Sequence, residues 1–387
     1  MLEGKALEAA LNKVQSIFDS VNVFYIEKIA RQIAKIGKLS QTSINRLRIM
    51  EEMTSDVDEI TKRLVKATGK SEAEVVQLYA ETMNEAYTDD RFKRAFSKGL
   101  KLPPSARQKL VGFTQNVAMQ TLGNLENLAQ TTIIEQTYRD AVDRAIFAVG
   151  SGLGSYNEAI RDTLRQIGMS GIVVQYPSGY KRSLDSAVRQ NVIDGTKQVA
   201  QNGANIIGDA LGYDAVEISA HMHSAPDHEP VQGRIFLKEE YDKMQRGFDC
   251  KDWKGRHYTG FKRPIAQWNC MHFALPFSTE YSVPRYTERQ LREWQEANQA
   301  GCIINGRHYT TYEASQIMRG IESTVRGLKN TANAAKITGD DILRRECQWK
   351  INQLVRKYQT ISDESGLTEQ RDRMSVAGFR AVKAVKP

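Results

Sequence analysis

Apolar residues recur at steps of three and four from the beginning of the chain. Leu7, Leu11, Val14 and Phe18 form one stripe, and Ile26, Ile29, Ile33 and Ile36 form a second. This is the period of an amphipathic helix, and Gly37 is its predicted stop. Ser71 followed by Glu74 has the spacing of a capping box, which predicts a new helix running to about Tyr87. Gly69 would close the helix before it, since glycine tolerates the left-handed conformation of a helix end. Two further helical stretches are predicted over Ser105–Leu122 and Asn124–Val149.

The pattern changes after residue 150. The glycine-rich stretch Val149–Ile160 opens a helix, but no strand precedes it and the Lys-Ser/Thr of a phosphate-binding P-loop is missing. A helix–helix hinge is the expectation there. Gly171–Tyr180 is a β-branched run ending in Pro-Ser-Gly, which predicts a strand and a turn. Ser183 is placed to cap the helix that comes next. Val216–Ser219 and Arg234–Leu237 read as short strands, and Cys302–Tyr309 reads as a hairpin turning at Asn305-Gly306. Thr310 and Glu313 then form a second capping box, and a further helix is predicted from Asp340 to Tyr358.

The expected fold is α+β and mostly α. Residues 1–150 form a helical N-terminal region, and residues 151–310 form a small α+β core domain with short strands and a hairpin. Residues 311–361 form a C-terminal helical hairpin, and residues 362–387 a mobile basic tail.

Composition narrows the picture. With 387 residues, 41% hydrophobic and 26% charged, the chain can build a packed core. The opening MLEGKALEAA has no basic segment leading into an apolar one, and no apolar run is long enough to span a bilayer. Synthesis in a cytoplasm and no membrane partner are expected. Four cysteines without a CxxC spacing argue against a disulfide framework or a zinc ribbon. The net charge is +8, and from Arg319 onward there are 14 Lys/Arg against 8 Asp/Glu, so most of the excess lies in the last fifth. Arg344, Arg345, Lys350, Arg356 and Lys357 on the last predicted helix are the candidate contacts to nucleic acid, nonspecific and made to phosphate. A solvated helix face has the same composition. Trp349 among them can stack on a base or fill a core position.

The chemistry is concentrated in one place. Five of the six histidines lie between residues 221 and 272. His221, His223 and His228 fall in SAHMHSAPDHEPVQGRIF, with Asp227 beside them, and Cys270 and His272 fall in QWNCMHFALPF. On a strand, His221 and His223 would share one face, and so would Cys270 and His272. Two such pairs would make a mixed N/S set suited to a structural zinc ion. A hydrogen-bonded polar core uses the same residues without a metal. A metal-dependent hydrolase or nuclease is the catalytic alternative, with the ligands His221, His223, His228, Cys270 and His272. The spacing H-x-H-x-x-x-D-H is two residues longer than the HxHxDH of metallo-β-lactamase-type hydrolases, and neither GxSxG nor HExxH occurs. The expectation is that the chain is not an enzyme.

Four blocks in order carry a family likeness: YPSGYKRSLDSAVRQNV from Tyr176, EISAHMHSAPDHEPVQGRIF from Glu217, WNCMHFALPF from Trp268 and HYTTYEASQIMRGIESTVRGLKN from His308. Through them the chain resembles the phage minor capsid protein 2 family, which is related to the Mu F-type head-morphogenesis proteins. The likeness covers roughly residues 130–360. It departs from the Mu F-type pattern, in which a loop with cysteines precedes a Pro-Pro-x-His…Cys-x-Cys block. Here histidines replace the earlier cysteines, and Cys270-Met-His272 stands in the closing position. The resemblance implies a minor capsid protein of a tailed phage, bound to the portal protein or the major capsid protein at the portal vertex. It implies location in the virion after assembly in the host cytoplasm, with contact to packaged double-stranded DNA.

Overall fold

A computed structural model describes residues 5–36, 43–151, 156–259, 263–266, 270, 272–304 and 306–386. The predicted stop at Gly37, part of the glycine-rich hinge and Asn305 of the hairpin turn lie outside them. The protein is 68% helical, with 11 helices and a few small antiparallel sheets among the described residues. The expected mostly-α, α+β class is the observed one.

The N-terminal part contains α1 (Lys5–Ile36), α2 (Ser43–Tyr87), α3 (Asp90–Ser97), α4 (Pro104–Gln130), α5 (Ile134–Ser151) and α6 (Tyr156–Ser170). The hairpin of β1 (Val173–Gln175) and β2 (Lys181–Ser183) leads into α7 (Leu184–Ala210). A three-stranded antiparallel sheet comes next. It is built from β3 (Ala215–Ile218), β4 (Ile235–Leu237) and β7 (Ala274–Phe277), with β3 in the middle. Between β4 and β7 lie α8 (Lys238–Gln245) and the small ribbon of β5 (Cys250–Lys251) and β6 (His257–Tyr258). α9 (Glu288–Ala300) precedes the hairpin of β8 (Cys302–Ile304) and β9 (Arg307–Tyr309), and α10 (Thr311–Thr338) and α11 (Asp341–Ser365) close the chain.

The largest apolar cluster is built on the stripe of α1. Leu11, Val14, Phe18, Ile26, Ile29, Ile33 and Ile36 are buried there against residues of α2, α4, α5, α6 and α7. Ala332 and Ala335 of α10 and Leu343 and Cys347 of α11 join the same cluster. The apolar contact is therefore continuous from the first helix to the last. A second cluster joins α10 and α11 through Ile321, Val325, Ile351 and Tyr358.

Local signals explain several boundaries. Thr310 accepts the N–H of Glu313, and the Glu313 carboxylate accepts the N–H of Thr310, so the predicted box opens α10. Asp340 caps α11 by accepting the Leu343 N–H, and it also takes both guanidinium arms of Arg161 from α6. Ser183 stands at the cap position of α7, but its hydroxyl meets Ser186 and no backbone N–H.

Four expectations need correction. α2 does not break at Gly69. It is continuous for 45 residues, and Ser71 is buried inside it with its hydroxyl turned back to the Thr68 carbonyl. α4 passes through Gly123 and stops instead at Thr131, where the backbone leaves to pair with β1: Ile133 N–H donates to Val173 O and Gln175 N–H to Thr131 O. α11 runs past Tyr358 and Ile361 to Ser365, ending at the left-handed Gly366. The tail lies against α10 and α11 instead of leaving the body. Met374 is buried, Asn333 donates to Ala377 O, Lys329 to Met374 O, and Val382 N–H donates to Gln348.

Two glycines test this architecture. Gly69→Ala should stabilise the protein by about 0.5–1 kcal/mol, the helix-propensity gain of alanine where nothing is crowded; a left-handed helix end would make the same change destabilising. Gly195→Ala should cost about 1–3 kcal/mol, because the new methyl would overlap the Tyr79 hydroxyl. Urea denaturation of both variants reads the two signs.

Candidate functional site

The histidine-rich segment is a closed loop at one end of the three-stranded sheet. It leaves β3 at Ile218 and returns at Arg234. Its ends are tied by Ile218 N–H to Arg234 O at 2.8 Å and by Gly233 N–H to Ile218 O at 2.9 Å. Gly233 has φ +68, and Leu291 of α9 lies so close that a methyl there would meet it at 2.5 Å. Asn298 of α9 donates to Glu229, which braces the far side of the loop at 2.7 Å. His221 and His223 are thus outside any strand, contrary to the alternating arrangement predicted for them. His223 has φ 67, a left-handed conformation that histidine adopts more readily than most residues.

The segment holding Cys270 and His272 comes from the opposite side and feeds β7. Gln201 of α7 positions it. The Gln201 side chain accepts the Ala274 N–H at 2.7 Å and donates to the Ala274 carbonyl, so it occupies the outer edge of β7 as another strand would. Ser219 adds a second tie, donating its N–H to Phe273 O at 2.7 Å and accepting the Phe273 N–H at 2.8 Å.

These two segments bring His228, Cys270 and His272 together. The Cys270 sulfur lies 3.3 Å from His228 Nδ1 and 3.4 Å from His272 Nδ1. It also accepts the Ala266 N–H at 3.3 Å. All three side chains are buried, at 2–3% exposure. His228 Nε2 is 3.3 Å from the Arg263 carbonyl and 3.8 Å from the Asp227 carboxylate. Asp227 in turn is held by both arms of Arg263 at 2.7 Å. His272 Nε2 is 3.3 Å from the Ser224 hydroxyl. His221 lies against the trio, its ring 4.4 Å from that of His272. Its Nδ1 donates to Met222 O, and its Nε2 is buried with no partner among the described residues. His223 is outside the trio; its Nδ1 is likewise buried and unpartnered among the described residues.

Burial dominates the electrostatics. It pushes His272 down to about 2 and His223 down to about 4, with neighbouring histidines adding to the effect in both. It lowers His221 as well. For Cys270 burial is the largest influence and acts upward, yet His228 and the backbone N–H groups of His272 and Ala266 together hold the thiol below its ordinary value. The partner shift agrees: burial is the largest influence and would lower His228, but Cys270, Asp227 and the Arg263 carbonyl together raise the imidazole. Lys197, half-buried on α7 one turn before Gln201, is a further positive charge near Cys270.

Cys270 and the histidines stand out in the sequence by their clustering. Gln201, Ser224, Arg263 and the Ala266 N–H, which hold them, do not. No local motif marks these four, because each acts across the fold.

Four of the five basic candidates of α11 fall on two adjoining ridges. Arg345 and Arg356 share one with Trp349, and Lys350 and Lys357 share the next, by their i+4 and i+7 spacing. All four cations are exposed and are joined to no carboxylate among the described residues. Arg344 differs, being half-buried and paired with Asp341 at 3.0 Å. Trp349 is half-buried and lines a groove of about 630 Å³ with Leu328, Leu343 and Leu354. The tail returns beside this face, Val385 N–H donating to Arg345 O, so Lys383 and Lys386 join it.

A family model described as Phage minor capsid protein 2 matches residues 2–361, nearly the whole chain. The chain belongs to that family, and with it comes a structural role in a phage capsid. No curated protein and no solved structure matches it.

Gln201→Ala should cost about 1–3 kcal/mol, because it leaves the Ala274 N–H and carbonyl without their partner at a buried edge. Thermal unfolding with a near-ultraviolet signal checks this. An unchanged midpoint would mean that β7 needs no clamp from α7.

Proposed function

We propose that this chain, a member of the phage minor capsid protein 2 family, is a low-copy structural protein of a tailed-phage head, seated at the portal vertex. It docks through its helical N-terminal half on the portal protein or the major capsid protein, and packaged double-stranded DNA lies against α11 and the tail. The observation that carries the DNA contact is the exposed face of Arg345, Lys350, Arg356 and Lys357, flanked by Lys383 and Lys386 of the ordered tail. Unpaired cations on a rigid surface attract phosphate without reading sequence, and binding releases counterions. Long helices α1 and α2 carry no cluster of catalytic side chains, which supports docking as their task. No helix among the described residues is long and apolar enough to cross a membrane.

A hydrolase or nuclease built on the histidine cluster is the competing reading. Catalytic metal sites keep one position open to water and substrate. Here His228, Cys270 and His272 are buried at 2–3% exposure, which supports a bracing role over a catalytic one.

Two measurements test the proposal. Quantitative mass spectrometry of purified particles should find the chain at a constant low ratio to the major capsid protein after a high-salt wash; a chain found only free in the lysate would remove it from the virion. Binding to duplex DNA should weaken steeply with salt. The triple change Arg345→Gln, Lys350→Gln, Arg356→Gln should flatten the slope of log K against log salt by about 0.9 for each phosphate that is no longer neutralised. An unchanged slope would place DNA elsewhere or nowhere.

A further inference from the structure

The geometry points to a structural zinc ion held by His228 Nδ1, Cys270 Sγ and His272 Nδ1, with His221 Nε2 as the fourth ligand. The positions of the ring hydrogens support it. His228 Nε2 faces only acceptors, the Arg263 carbonyl and the Asp227 carboxylate, so it carries the ring hydrogen and leaves Nδ1 as a bare lone pair. The Ser224 hydroxyl reaches the Ala225 carbonyl at 3.3 Å, which also only accepts. Ser224 therefore accepts from His272 Nε2–H, and His272 Nδ1 is bare too. His221 spends its Nδ1–H on Met222 O, which leaves Nε2 as a buried lone pair with no partner among the described residues.

Two imidazole lone pairs, those of His228 and His272, thus face one sulfur that has one proton to offer, and the His221 ring lies beside that of His272. A neutral cysteine can satisfy one of them. A histidinium–thiolate pair between His228 and Cys270 still leaves His272 Nδ1 facing filled sulfur orbitals at 3.4 Å. A divalent cation satisfies the sulfur and both of these nitrogen lone pairs at once, the thiol proton leaving to solvent.

The spacing fits. Tetrahedral zinc with its usual bond lengths separates sulfur and nitrogen ligands by about 3.6 Å. The two observed separations from Cys270 are 3.3 and 3.4 Å, and the three ligand atoms all lie within 4.8 Å of one another. The surroundings fit as well. Histidine ligands to a metal hold the other ring N–H on a carbonyl, a carboxylate or a hydroxyl, as His228 and His272 do here. The Ala266 N–H points at the sulfur, and Asp227 offsets part of the charge that a dication and Lys197 bring.

The test uses the full chain, expressed without a histidine tag and purified without chelator. Plasma mass spectrometry should give about one zinc per chain. After the zinc is stripped and Co²⁺ is added, the protein should show the near-ultraviolet thiolate-to-cobalt band and the strong visible bands of a tetrahedral site. Cys270→Ser should lose the ultraviolet band, while Cys347→Ser, which alters a buried thiol outside the cluster, should keep it. His221→Ala should keep the ultraviolet band and weaken the visible ones; an unchanged visible spectrum overturns His221 as the fourth ligand. Folded wild-type protein with no metal, and no thiolate band on adding Co²⁺, overturns the site whether or not the variants fold.

Discussion

The structure turns on how closely other elements approach α7. That helix has glycine where its neighbours cross it. At Gly195 the Tyr79 hydroxyl, bonded to Thr121, sits where a side chain would begin. At Gly203 the space belongs to Met83, and at Gly208 to Pro276 of β7. Because α7 has no side chains at these points, one helix is packed against α2 and α4 along part of its length and against the sheet near its end. Gln201 lies close to the last two crossings and fixes β7, which continues from His272. The position of the histidine cluster is therefore set by packing in the helical bundle, through backbone contacts that leave little slack.

This dependence separates the features legible in the sequence from the rest. Elements made by local chemistry were legible: the Thr310–Glu313 box, the strand and turn that begin at Gly171, the β8–β9 hairpin and the apolar stripe of α1, whereas β2, which pairs with β1, was not. The break predicted at Gly69–Ser71 failed although the information was present. Ile60, Leu64, Ala67, Ser71, Val75 and Leu78 are all buried, at steps of three and four, so the stripe keeps its phase straight through Gly69. A helix end would have reset that phase. The capping-box spacing described only four residues, while burial against α1 acts over the whole length and prevails.

The site was half legible for a related reason. Histidine and cysteine announce themselves by rarity, so their clustering could be seen. Their geometry could not, because the alternation assumed for His221 and His223 requires a strand and β3 ends at Ile218. Beyond β3 the chain forms a loop whose shape comes from Gln232, Gly233 and α9. The residues that set the protonation of each imidazole are Asp227, Ser224 and the carbonyl of Arg263. Only the folded chain brings Arg263, thirty-five positions away, to His228.

Positive charge is free to act only where no carboxylate takes it. In the middle of the chain several cations are held in ion pairs. Glu288 takes Arg234, Arg256 and Lys254, Asp227 takes Arg263, and Asp340 and Glu346 take Arg161 and Arg165. These pairs join separate elements, and their fields largely cancel outside the protein. On α11 no such partners stand beside Arg345, Lys350, Arg356 and Lys357 among the described residues. The tail adds lysines to that side while its own backbone is tied to Gln348 and Arg345. A tail already ordered gives up little further freedom when a polyanion arrives. Charge fixed on one face also produces a stronger local field than the same charge spread along a mobile segment. The net charge of the chain understates this, because it averages a nearly balanced body with a basic end.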